Sequence, residues 1–164
     1  MDNLWAAWRR EFILGPREKG CVFCNRIKKK ADRANLILYR AEKSVIFMNK
    51  YPYNVGHLLI LPRAHKGDIQ KLTDQEWAEM NDLTRKSLQI LKDIMPTKGF
   101  NIGMNLGAVA GAGIKEHIHI HIVPRFLGDA NFMCTVGNSR VQSFSMEDIY
   151  DMLKPGFDGL RGPS

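Results

Sequence analysis

His117-Ile118-His119-Ile120-His121-Ile122-Val123 sets three imidazoles in strict alternation with apolar side chains. A period of two is the pattern of a half-buried strand, so the three rings are expected on one sheet face and the aliphatics in the core. At a rise of about 3.3 Å per residue, successive histidines stand roughly 6.6 Å apart along the chain. The chain has only five histidines and spends three here. A strand that anchors itself with Ile and Val and aims imidazoles the other way is building a site.

Working outward, Leu36-Ile37-Leu38-Tyr39 and Ser44-Val45-Ile46-Phe47-Met48 read as two short strands joined by a polar turn. Residues 49–56 form a loop with Pro52, Asn54 and Gly56, and residues 57–62 a third, buried strand that Pro62 ends. Thr73 or Asp74 can N-cap a long helix to about Met95. Its stripe of Trp77, Met80, Leu83, Leu88, Leu91 and Ile94 reads as core. Residues 99–106 read as a fourth strand, residues 107–113 as a Gly/Ala loop, and residues 146–153 as a terminal helix capped by Ser145. Strands around one long helix predict an α+β fold with a mainly antiparallel sheet. The expected organisation is a single domain over 1–164, with an N-terminal arm over 1–30 and a C-terminal helix and tail over 145–164.

Composition narrows the function classes. The 164 residues suit one domain with a real core. A content of 45% hydrophobic and 25% charged residues is ordinary for a globular protein. No apolar stretch approaches the ~20 residues of a membrane span, and the opening MDNLWAAWRREF lacks the apolar core of a secretory signal. Three cysteines, two of them as Cys21-x-x-Cys24, fit a reducing cytoplasm with a metal or redox pair. A redox pair of this spacing normally precedes a helix in a βαβ pattern, which the arm is not expected to have. The net charge of +7 suits nucleic acid or a small polyanion such as a nucleotide. Lys28-Lys29-Lys30, part of that charge, reads as a solvated turn.

The triad, Asn49, Asn54-Val55-Gly56-His57, Pro62-Arg63-Ala64-His65, Asn105-x-Gly107 and Pro124-Arg125 come in an order that resembles the histidine-triad (HIT) superfamily of nucleotide hydrolases and transferases. The likeness runs from about Cys21 to Asn131. Leu4-Trp5-Ala6-Ala7-Trp8-Arg9, the cysteine pair and Gly128-Asp129-x-Asn131-Phe132 look like its bacterial diadenosine polyphosphate hydrolase and phosphorylase branch.

The resemblance implies a five-stranded antiparallel sheet with one long helix and a homodimer formed by joining sheets. It implies His119 as nucleophile at phosphorus, forming a covalent nucleotidyl-histidine. Imidazole chemistry agrees, being largely unprotonated near neutral pH and nucleophilic. His121 would donate to the phosphate or leaving group, and His57 would order their hydrogen bonds. Asn49 would contact ribose and Asn105 the phosphates. The loop glycines Gly107, Gly111 and Gly113 would offer backbone N–H groups to an anion. In zinc-bearing relatives the histidine after the third strand and the first triad histidine join the cysteine pair, here His65 and His117 with Cys21 and Cys24, a set that suits tetrahedral zinc. No organic cofactor is implied.

The substrate implied is an adenine-containing dinucleotide such as diadenosine tetraphosphate. His121, where uridylyltransferase relatives carry Gln, favours the hydrolase side, while Phe126 replaces a Trp of several phosphorylase-type relatives. Many relatives carry Ser or Thr just before the first triad histidine, where this chain has Gly113-Ile114-Lys115-Glu116. Phosphorolysis, an adenosine phosphoramidase activity and a non-enzymatic nucleotide-binding role are the alternatives. Nucleic acid and membrane partners are not expected. Trp5 and Trp8 are expected as packing anchors, and Cys134 as a core or edge residue.

Overall fold

A computed structural model of the chain describes residues 18–127, 129 and 144–160. The expectations for Trp5, Trp8, Asn131, Phe132 and Cys134 lie outside the described residues. Helix α1 (Val22–Lys28) precedes strands β1 (Ile37–Arg40), β2 (Ser44–Met48) and β3 (Leu58–Pro62). Helix α2 (Asp74–Ile94), strands β4 (Gly99–Gly103) and β5 (Ile120–Arg125), and helix α3 (Met146–Asp158) follow. The five strands form one sheet in the order β1-β2-β3-β5-β4, every neighbouring pair antiparallel. The α+β fold expected from the sequence is the one observed.

Helix α2 starts where its residues dictate. The Thr73 side chain accepts from the Glu76 N–H while the Glu76 carboxylate accepts from the Thr73 N–H, a reciprocal capping box. Its buried stripe is Glu76, Met80, Leu83, Ser87 and Leu91. Trp77 departs from the expected stripe and is 39% exposed. Helix α3 is capped the same way by Ser145 and Asp148. It runs five residues past the expected end, through Pro155, because Leu153 and Phe157 both bury on the sheet side.

Three strand boundaries also move. Leu36 takes a left-handed φ of 58°, so β1 begins one residue late. Gly56 turns the chain at φ 75° and the His57 N–H closes that turn on the Asn54 carbonyl, so β3 begins at Leu58. Strand β4 stops at Gly103.

The sheet buries both faces, unequally. On one face Leu38, Ile46, Met48, Leu58, Ile60, Ile120 and Ile122 pack on α2 and α3. On the other, Ile37, Val45, Phe47, Leu59 and Leu61 pack under Phe23 of α1. Each fully buried aliphatic contributes about 1.5–3 kcal/mol, so the helix-covered face carries most of the stability. His121 lies directly across from Leu59, on the face that α1 covers. No helix among the described residues is long and apolar enough to cross a membrane.

Candidate functional site

The histidine run is not all strand. Ile120–Arg125 form β5, while His117 and His119 lie in the extended lead-in. The reason is their bonding. The Ile118 N–H is taken by the Lys66 carbonyl (2.7 Å), outside the sheet ladder. The apolar side of the alternation holds, with Ile118, Ile120 and Ile122 all buried.

Hydrogen bonds fix which nitrogen of each ring carries a proton. The His119 Nδ1 lies 2.8 Å from the His117 carbonyl, which can only accept, so Nδ1–H donates and Nε2 keeps its lone pair. The Tyr53 N–H donates to His57 Nδ1 (3.0 Å), with the Asn49 amide 3.3 Å from the same atom. In a neutral His57 the proton therefore sits on Nε2, which donates to His121 Nδ1 at 3.0 Å. His121 is left with its proton on Nε2. The rings of His119 and His121 stand 4.7 Å apart. An imidazole lone pair and an imidazole N–H thus sit side by side, a nucleophile next to a proton donor.

Burial pushes His119 below the ordinary histidine value, and its bond to the His117 carbonyl opposes this only partly. Being 8% exposed, it is held neutral. Much of that cover is Phe23, whose ring meets His119 edge-on at 5.3 Å. His57 is 1% exposed under the ring of Tyr53, stacked at 5.0 Å.

The remaining expected nucleotide contacts divide. The Asn49 side chain is engaged by His57 and by the Tyr51 N–H (3.0 Å), so it orders the loop before β3. The β4–β5 register ends with Gly103 paired with His121, and Asn105 lies two residues beyond the end of β4. Gly107 and Gly111 both take positive φ around a turn at Ala108–Ala110. The Gly111 N–H closes that turn on the Ala108 carbonyl, and the Ala112 N–H bonds the Gly107 carbonyl. Those two donors are engaged inside the loop. Gly107 and Gly113 are exposed on the same loop.

Four side chains from three separate segments meet beside this pair. Cys21 caps α1 and Cys24 lies in its first turn. The cysteine pair opens a helix that leads to an antiparallel hairpin, not a βαβ unit. Cys21 Sγ is 3.4 Å and Cys24 Sγ 3.6 Å from His117 Nδ1, and Cys24 Sγ is 3.4 Å from His65 Nδ1. All four ligand atoms lie within 4.8 Å of one another. A tetrahedron with Zn–S of about 2.3 Å and Zn–N of about 2.0 Å has S···N edges of about 3.5 Å, so the spacing fits. The tautomer fits too. His117 Nε2–H donates to the Pro62 carbonyl (2.8 Å), which turns the Nδ1 lone pair toward the sulfurs. Burial raises the Cys24 thiol above its ordinary value, and Cys21 beside it adds to this; a cation there would reverse that balance.

The turn carrying His65 is pinned from two sides. The Lys66 ammonium pairs with Glu76 at 2.7 Å, and Gly67 packs against the backbone of residues 115–116. A Cβ on Gly67 would stand 2.7 Å from the Lys115 carbonyl oxygen. Gly67→Ala is expected to cost about 1–3 kcal/mol and to weaken metal affinity at His65. Thermal melts and zinc titration check this; wild-type values for both would contradict it.

Sequence reasoning missed several supports. Phe23 and Tyr53 cover the histidines. Asp129 accepts from Asn54, Arg125 and the Phe126 N–H, tying the turn before His57 to the end of β5. Burial alone would push that carboxyl up, but these bonds hold it below the usual range. Its place in Gly128-Asp129-x-Asn131 was a visible signal.

The chain is similar to known proteins. The HIT domain family model matches residues 30–128. An AP-4-A phosphorylase of Mycobacterium tuberculosis is 40% identical over 127 residues, 77% of this chain and 65% of that protein. The chain thus spans about two-thirds of the length of that relative. A bis(5'-nucleosyl)-tetraphosphatase (asymmetrical) of Schizosaccharomyces pombe is 31% identical over 93 residues, 57% of this chain and 50% of that protein. Among solved structures, a Zn-bound histidine triad family protein from Mycobacterium smegmatis superposes with a TM-score of 0.69 at 25% identity, covering 86% of this chain and 95% of that one. With its five-stranded sheet, its paired imidazoles and a family match over most of its length, the chain belongs to the HIT domain family.

Proposed function

We propose that this chain cleaves an adenine-containing dinucleoside polyphosphate, such as diadenosine tetraphosphate, at the α-phosphate. The observation that carries the reading is the pair of tautomers: a lone pair on His119 Nε2 beside a proton on His121 Nε2. His119 Nε2 attacks the α-phosphorus while the bond to the bridging oxygen breaks, the leaving polyphosphate departing with the electron pair, and the His121 Nε2–H donates a hydrogen bond to that leaving oxygen and stabilises its charge. His57, fed by the Tyr53 N–H, keeps that proton on the correct nitrogen. The resemblance gives Asn105 and the loop glycines Gly107, Gly111 and Gly113 phosphate contacts, and Asn49 a ribose contact. An acceptor then takes the nucleotidyl group from His119.

Likeness to a phosphorylase supports inorganic phosphate as that acceptor, and likeness to a tetraphosphatase supports water. Incubation with diadenosine tetraphosphate, with and without phosphate, separates them by chromatography. ADP plus ATP formed only with phosphate marks phosphorolysis, and AMP plus ATP marks hydrolysis. No cleavage in either tube overturns the reading in favour of a phosphoramidate substrate or a binding role.

The depressed His119 value has a signed consequence. Its reactive neutral form persists below pH 6.5, so the acid-side fall of kcat/KM is expected below about 6.5, the unperturbed histidine value. As pH falls through that value the unfolded chain takes up the proton first, so folded stability declines there too. A midpoint at or above 6.5 would assign the profile to another group.

The Cys21, Cys24, His65 and His117 set is proposed to hold zinc as a structural ion, which would cross-link α1 to the turn after β3 and to the lead-in to β5. The chain is also proposed to form a homodimer along β4, which has one sheet neighbour among the described residues and leaves Ile102 half exposed. Sedimentation is expected to give twice the chain mass, falling to the chain mass in Ile102→Glu.

A further inference from the structure

One buried ring joins the metal cluster to the proposed nucleophile. Phe23 stands between Cys21 and Cys24, in the first turn of α1, and is 3% exposed. Its ring meets His119 at 5.3 Å and His117 at 5.5 Å, both edge-on, and Phe47 at 5.6 Å. Contacts of this separation and tilt are attractive and directional. They matter because His119 has a competing arrangement. Turned over about its Cβ–Cγ bond, the ring puts Cδ2 where Nδ1 stood and Cε1 where Nε2 stood, so it loses the bond to the His117 carbonyl and moves the Nε2 lone pair off its line. Two contacts oppose that turn: the Nδ1–H bond on the polar edge and Phe23 on the flank.

Both contacts lead back to the metal cluster. His117 offers its side chain to the sulfurs and its carbonyl to His119. The two cysteines fix where α1 begins, and hence where Phe23 lies. We infer that Phe23 is a positioning residue for His119, and that the Cys21–Cys24–His65–His117 centre sets its place, so that metal occupancy is felt at the nucleophile. The inference rests on the nucleotidyl-transfer reading above for its kinetic consequence, and on geometry alone for its effect on the ring.

The test compares zinc-loaded wild type, Phe23→Ala and Phe23→Leu, with zinc quantified in each. Steady-state kinetics on diadenosine tetraphosphate are paired with 15N–1H correlation of the imidazoles. Wild type is expected to show a single Nδ1–H tautomer at His119. Phe23→Ala is expected to show both tautomers, a kcat lowered at least about tenfold and a KM within about twofold, as for a misplaced reacting group. Phe23→Leu, which restores bulk without a ring, should fall between. An unchanged tautomer and kcat in Phe23→Ala with zinc still bound overturns the positioning role; if that variant does not fold, the same result in Phe23→Leu does. Zinc-stripped wild type that keeps the single tautomer overturns the link to the metal. A wild type that cleaves no dinucleotide overturns the functional reading instead, and the tautomer comparison still decides the role of Phe23.

Discussion

His119→Ala is expected to lower turnover of diadenosine tetraphosphate by at least about a thousandfold while nucleotide binding persists. The magnitude follows from what is removed. In the covalent route the ring supplies the attacking lone pair and then carries the nucleotidyl group, and no second side chain in the cluster can replace it in the same tautomer. His121 has its proton where His119 has its lone pair, and His57 is 1% exposed and engaged at both nitrogens. His121→Ala should cost less, about a hundredfold or somewhat more, the usual worth of one hydrogen-bond donor aimed at developing charge. The double variant should be no slower than His119→Ala, because a donor with no bond-breaking step to assist adds nothing. Turnover near wild type in His119→Ala would end the nucleotidyl-histidine proposal. Binding measured by calorimetry separates a lost nucleophile from a collapsed site.

Removing the proposed zinc is expected to have the second large effect. Free zinc at a hundred to a thousand times its Kd stabilises a folded protein by about 2.7–4.1 kcal/mol. For a chain of this size each kcal/mol is worth about 2–4 °C in Tm, so chelation of metal-bearing protein is expected to lower Tm by roughly 5–16 °C. Cys24→Ser should reproduce most of that loss without chelator. The damage should be local first. Helix α1 has seven residues, too few to persist without tertiary support, and the basic run Lys28-Lys29-Lys30 beside it is exposed to trypsin. Faster cleavage there on chelation is the expected companion. An unchanged Tm with unchanged cleavage would remove the structural role.

The sequence was legible where one residue type settles a local choice. Thr73 with Glu76 and Ser145 with Asp148 write their helix starts directly, and the structure has both. β2 lies where its apolar run put it. The four Cys/His side chains, scattered over nearly a hundred residues, come together as the resemblance implied. What stayed hidden depends on distant groups. Pro155 should have ended α3 early, but packing of Phe157 outweighs the lost backbone bond. Alternation made residues 117–119 look like strand, since it reports which side chains are buried and not what the N–H groups bond. The proton positions were out of reach because they depend on the carbonyls of Pro62 and His117 and the N–H of Tyr53, main-chain groups that every residue possesses. Phe23 was visible only as a letter between two cysteines.

The two unequal faces of the sheet have a kinetic consequence. Among the described residues fifteen buried side chains tie the sheet to α2 and α3, and six tie it to α1. A molecule so divided opens in stages, because the smaller set can part while the larger holds. Amide protons of α1 and of residues 117–119 should exchange through a sub-global opening, and those of α2, β2 and β3 only through global unfolding. The half of the protein that carries the histidines can then breathe on its own timescale, over a scaffold that stays shut.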